Sequence, residues 1–175
     1  MACQPSCPDA NIATAALDIP SALGSFGWVK SVLYPFLVLA VCGFVASVAV
    51  HMLALAGIVL PGARLVWVLH LGIFAVWLPA VLVANRLTRE NGGRFSLKLV
   101  LSGCPLWMVR ALYILFAYAA LNFAFLLIAM NSHPDPRDRP LTSVVRGYSG
   151  HCMMFYGAAF AILYSYTHRK PSRAP

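Results

Sequence analysis

The sequence predicts an all-α integral membrane protein, a four-helix bundle with its N and C termini on the cytoplasmic side. Three observations predict it. Of the 175 residues, 61% are apolar and only 10% are charged, with a mean hydropathy of +0.77. A soluble domain carries about a quarter of its residues charged, so this chain is suited to lipid rather than water. The apolar residues gather into four runs, each about 20 residues or longer, enough to cross a hydrocarbon core about 30 Å thick. The charges fall almost entirely between the runs, and they are unequally divided.

Residues 1–30 form a polar tail. It contains Asp9, Asp18, Pro5, Pro8 and Pro20 and lacks a basic start, so a cleavable signal peptide is not expected. The transmembrane domain is expected over 31–168, with spans at about 32–60, 63–83, 109–130 and 149–167, and a basic tail at 169–175. Leu60-Pro61-Gly62 is a tight turn, because proline and glycine both interrupt helices, and it makes the first two spans an antiparallel hairpin. Residues 85–98 are a polar loop with Asn91-Gly92-Gly93 as its flexible centre. Residues 96–106 are too short to cross and are expected along the interface. Pro105 precedes span three, where proline is tolerated, and Arg110 reaches back toward the headgroups. Residues 131–148 read as a second loop, with Pro134, Pro136 and Pro140, after which Ser149 caps the fourth helix.

The formal net charge is +8, but the basic residues flank apolar runs and no groove-reading module is present, so nucleic acid is not an expected partner. Lys30, Arg86, Arg89, Arg94, Lys98, Arg110, Arg169, Lys170 and Arg173 fall on one side of the membrane. Arg64, Arg137, Arg139 and Arg146 fall on the other, with two acids beside them. Lysine and arginine collect in cytoplasmic loops, which places both termini there. Arginine outnumbers lysine ten to three, as in products of GC-rich genomes, so a bacterial inner membrane is the expected location.

Polar groups within a membrane are functional candidates, because hydrocarbon penalises them. No Asp or Glu lies inside a span, which argues against a carboxylate proton relay. His51 and His70 each lie about nine residues from the Leu60-Pro61 turn, roughly 13 Å below the outer end of the hairpin at 1.5 Å per residue. The simpler account is that each histidine hydrogen-bonds a neighbouring helix or faces the interface; the alternative is that they face each other across the hairpin, as cofactor ligands for haem iron or as metal ligands together with His151. Met52, Cys152, Met153 and Met154 nearby would suit copper. His133 and two carboxylates form a smaller candidate cluster, for which proline-rigidified turns are the simpler account. The five cysteines are scattered and odd in number, so no disulfide framework follows; Cys3 and Cys7 could pair or bind a metal, but two tail thiols without a role are the simpler account. No Cys-x-x-Cys-His occurs, which excludes covalent haem c.

Arg139-Pro140 and Ser149-Gly150-His151 resemble pieces of the lipid-phosphatase signature of the phosphatidic-acid type. Tyr148 stands where that signature has proline, and no Ser-Arg followed by a nucleophilic histidine appears beyond span four. Without a nucleophile, phosphoryl transfer lacks its first requirement.

Small residues recur at helical spacing: Gly43 and Ser47 in span one, and Gly157, Ala161 and Ser165 in span four. Such faces let helix backbones approach closely. Asn122 sits in the middle of span three. The function most in keeping with these features is a non-enzymatic accessory or interaction protein: a subunit or partner of a membrane complex, or an immunity-type protector. A haem- or copper-binding redox protein is the alternative, and a small transporter or channel is the third class. Beyond the lipid bilayer, a membrane-protein partner is the interaction to expect.

Overall fold

A computed structural model describes residues 26–58, 64–132 and 135–169. The expectations for Cys3, Cys7, the Leu60-Pro61-Gly62 turn and His133 lie outside these residues. Among the described residues the protein is entirely helical. The elements are α1 Phe26–Leu55, α2 Arg64–Glu90, α3 Leu97–Val100, α4 Leu106–Ser132 and α5 Leu141–His168, with a 3-10 turn at Pro136–Asp138. Three segments, Ser31–Leu55, Val66–Glu90 and Leu106–Ser132, are long and apolar enough to cross a membrane, which makes this a multi-pass membrane protein.

Local chemistry sets the ends of the helices. Gly57 stops α1 in the left-handed region (φ +77°). Its N–H reaches the Ala54 carbonyl, and the Ile58 N–H reaches back to Leu53 at 2.9 Å. These are the paired bonds of a glycine-terminated helix that satisfy otherwise orphaned carbonyls. The same pattern ends α2: Gly92 has φ +67°, its N–H bonds Arg89, and the Gly93 N–H bonds Thr88 at 3.0 Å. Asn91-Gly92-Gly93 is therefore a helix stop rather than a flexible loop centre. Helix α1 ends five residues short of the expected 60, and α2 runs beyond 83 to carry an exposed Arg86–Glu90 pair (Nε to Oε1, 3.1 Å). A helix turn in water needs no apolar face, so hydropathy misses that extension. Pro35 and Pro79 lie inside α1 and α2, as membrane helices tolerate.

The largest departure is in α5. It begins at Leu141, directly after Pro140, and not at Ser149. Residues 141–148 were expected as loop, but Pro140 supplies the start, no proline interrupts Leu141–Tyr148, and the one glycine, Gly147, packs closely on Leu126. Ser149 and Gly150 are thus buried inside the helix and cap nothing.

Helix α5 is also the hub. It packs on α1, α4 and α2, and α1 packs on α2. It is 28 residues long yet less apolar than the three segments above, and thirteen of its residues are buried. These facts fit together, because a helix enclosed by other helices can hold serine, histidine and tyrosine that lipid would reject. Close approach depends on glycine. A Cβ on Gly43 would lie 2.2 Å from the Tyr156 ring, and one on Gly72 would lie 2.3 Å from the Tyr156 hydroxyl. The buried Tyr156 side chain enters between α1 and α2, and its hydroxyl donates to the Leu69 carbonyl at 2.8 Å. At the other end of α5, the turn before α4 is fastened down: the Gly103 N–H donates to Ser165 Oγ at 2.9 Å and Cys104 Sγ donates to the Ala161 carbonyl at 3.2 Å. Burial pushes the Cys104 thiol above its ordinary pKa.

Candidate functional site

Near the loop end of α5, three helices meet at one imidazole. His51 projects from α1 and is 1% exposed. Its Nδ1 lies 2.9 Å from Ser149 Oγ of α5, and its Nε2 lies 2.5 Å from the Tyr118 hydroxyl of α4. Ser149 Oγ is also 2.7 Å from the Val145 carbonyl one turn back. A hydroxyl has one proton to give. With that proton directed at Val145, His51 Nδ1 donates to Ser149 and Nε2 accepts from Tyr118. Every ring nitrogen is then satisfied, and Ser149 is not poised as a nucleophile, because its proton points at a backbone carbonyl rather than at a base. Asn122, also buried, donates from Nδ2 to the Tyr118 carbonyl at 2.9 Å, one turn along α4. Gly150 faces this group with room to spare: a Cβ there would meet Asn122 Cβ at 3.5 Å and His51 Cε1 at 3.7 Å.

A second histidine group lies between α2 and α5. His70 and His151 stack with ring centroids 5.5 Å apart and planes inclined by 22°. Trp67, Phe74 and Tyr148 each meet His70 in an edge-to-face arrangement, and Phe155 packs on His151 at 4.5 Å. Nδ1 of His70 is buried and has no hydrogen-bond partner among the described residues.

The structure thus sorts the three histidines into two places. His51 joins Ser149, and His70 joins His151 instead of His51. Ser149 and His151 are two residues apart on one helix, so they point about 200° apart around its axis. Helix α5 itself stands between the two sites. Among the described residues, no group of three or more His, Cys, Asp or Glu side chains could hold a metal ion. A metal or haem at His51 would first have to displace Ser149 or Tyr118.

No protein-family model, curated protein or solved structure matches the chain.

The residues named from sequence as a packing face have different surroundings: Gly43 and Gly157 meet side chains of other helices, Ser47 bonds within α1, and Ala161 and Ser165 bond the turn before α4. Gly43 receives the Tyr156 ring, and Ser47 is buried and donates to the Gly43 carbonyl at 2.7 Å. Gly157 lies against Leu115 and Phe44, Ala161 accepts from Cys104, and Ser165 accepts from Gly103. Sequence reasoning missed Tyr118, the third member of the His51 group. The available signal was its spacing from Asn122: two hydrogen-bonding side chains one turn apart in an otherwise apolar helix. It also treated Ser149 as a cap and passed over Tyr156 altogether.

Proposed function

We propose that this chain is a non-enzymatic accessory or interaction protein of a membrane, either a subunit or partner of a larger membrane complex or an immunity-type protector. In this reading α5 crosses as a fourth span, the termini lie together on the cytoplasmic side, and the membrane is a bacterial inner membrane. The observation that carries it is the use made of the buried polar groups. Ser149, His51, Tyr118 and Tyr156 are spent on bonds between the protein's own helices, as in a scaffold. The surface that supports a partner belongs to α4. Only 17% of its spanning window is buried, against 28% and 33% for α1 and α2. Tyr113, Phe116 and Leu127 lie exposed on one side of it. Purification in mild detergent tests the reading: a defined membrane protein should co-elute, and should be lost when Phe116 and Leu127 are replaced by alanine. A solitary monomer under every mild condition overturns the complex-subunit form.

One observation favours a second reading. The buried, unpartnered Nδ1 of His70 beside His151 supports a two-histidine site for copper or haem. An absorption spectrum and metal analysis of the purified protein decide it. A Soret band or bound copper that disappears in His70→Ala supports the site, and colourless, metal-free protein removes it.

A further inference from the structure

A groove of about 670 Å³ runs between α1 and α4, with α5 as its floor. That volume is within the usual range for small-molecule sites, about 300–1,000 Å³. The groove exists because α1 and α4 both pack on α5 but make little contact with each other. Its walls include Val41 and Phe44 of α1, Trp107, Ile114 and the Tyr118 ring of α4, and Phe160 of α5.

Two features identify what fills it. The first is length. Along α4 the groove extends from Trp107 to Tyr118, roughly 16 Å at 1.5 Å per residue. That is about half of a hydrocarbon core of about 30 Å, the depth of one leaflet. Its α4 lining runs from Trp107, in the first turn of that helix, to Tyr118, whose hydroxyl meets His51. A hydrocarbon tail hanging from one leaflet's headgroups has this reach and this chemistry. The second feature is charge. Arg110 lies on the first turns of α4 beside the groove residues, exposed and in no ion pair among the described residues. It shares α4 ridges with two groove residues, Trp107 three positions before it and Ile114 four after. Helical side chains lean toward the N-terminus, so the guanidinium is carried outward to headgroup level. There it matches a phosphate, which arginine binds with two parallel hydrogen bonds. The neighbouring segment 85–98 adds Arg86, Arg89, Arg94 and Lys98 against a single acid, Glu90.

We propose that the groove seats one acyl chain of an anionic phospholipid whose phosphate is held by Arg110. This site is separate from the outer face of α4 assigned to a protein partner and stands whether or not that partner exists. The test uses full-length protein with Trp107 as its only tryptophan, placed in phosphatidylcholine nanodiscs. These contain, at equal mole fraction, either phosphatidylglycerol or phosphatidylcholine with brominated chains, and tryptophan quenching is read. Brominated phosphatidylglycerol should occupy the site with about fivefold preference, the worth of one arginine near an anionic headgroup. Arg110→Gln should abolish the preference, while Arg110→Lys should retain part of it. Ala111→Phe, which fills the groove, should reduce quenching by both lipids, and Ala120→Phe on the opposite face should leave it unchanged. Equal quenching by the two lipids in the parent protein overturns the proposal. So does a preference that survives Arg110→Gln, an Ala111→Phe result matching Ala120→Phe, or a second polypeptide that occupies the groove and shields Trp107 from both lipids.

Discussion

His51 and Ser149 stand 98 residues apart in the chain and 2.9 Å apart in the bundle. That bond, with the one from His51 to Tyr118, ties α1, α4 and α5 at one buried point. His51→Ala should lower stability by about 2–3 kcal/mol, because it removes both bonds and leaves their partners buried. Ser149→Ala and Tyr118→Phe should each lower it by about 1 kcal/mol. Unfolding by denaturing detergent, run as a double-mutant cycle over His51 and Ser149, should return a coupling of about 0.5–1.5 kcal/mol. Zero coupling would mean that the pair does not hold the helices together.

The two histidine groups should respond oppositely to an apolar ring. His70→Phe removes an unsatisfied nitrogen from aromatic surroundings and should be neutral or mildly stabilising, since no bond is lost. His51→Phe breaks two bonds at once and should be destabilising by about 2 kcal/mol or more. Thermal unfolding of both variants in one detergent makes the comparison. A large loss from His70→Phe would point to a bound group at that nitrogen.

Two glycines should differ sharply. Gly43→Ala places a Cβ on the Tyr156 ring, which is wedged between helices, and overpacking of this kind costs about 1–3 kcal/mol. Gly150→Ala meets only ordinary van der Waals contacts and should be near neutral or stabilising by up to about 1 kcal/mol through helix propensity. Equal effects would show that α1 and α5 are not in the contact described.

Cys104 should alkylate slowly. Its folded-state pKa is raised by burial, so the thiolate appears only at higher pH than in the unfolded chain. In a variant with Cys104 as the only cysteine, iodoacetamide labelling should lag behind that of the detergent-unfolded chain around pH 8–9, where an ordinary thiol of pKa about 8.5 ionises. The gap should narrow as pH rises further. The sign for stability follows: the protonated thiol is favoured on folding, so this contribution is full below the unfolded pKa and is lost as pH climbs through the folded one. Identical labelling profiles would place Cys104 in water.

Hydropathy revealed α1, α2 and α4 because lipid imposes the same demand on every exposed residue of those helices. It misjudged α5 for the opposite reason. A helix wrapped by neighbours is released from that demand, so Ser149, Gly150 and His151 read as a helix start when they lie in its third turn. His51 and His70 meet α5 two residues apart, at Ser149 and His151, and neither partner was legible in the sequence. Which neighbour a side chain meets depends on rotation about the helix axis, and the α1–α2 pattern alone does not fix that rotation once a third helix packs against both. Tyr118 shows the same limit, since a tyrosine in an apolar helix looks identical in sequence whether it meets lipid or an imidazole.

The placement of α5 has a bearing on biogenesis. Among the described helices it is translated last, yet the others lean on it more than on one another. While the ribosome is still adding Leu141 onward, the notch at Gly43 is vacant and the His51 ring lacks its serine, so α1, α2 and α4 are without their main packing partner. A chain terminated before α5 therefore lacks the helix on which the others pack, and it should be lost to proteolysis rather than persist as a smaller stable protein.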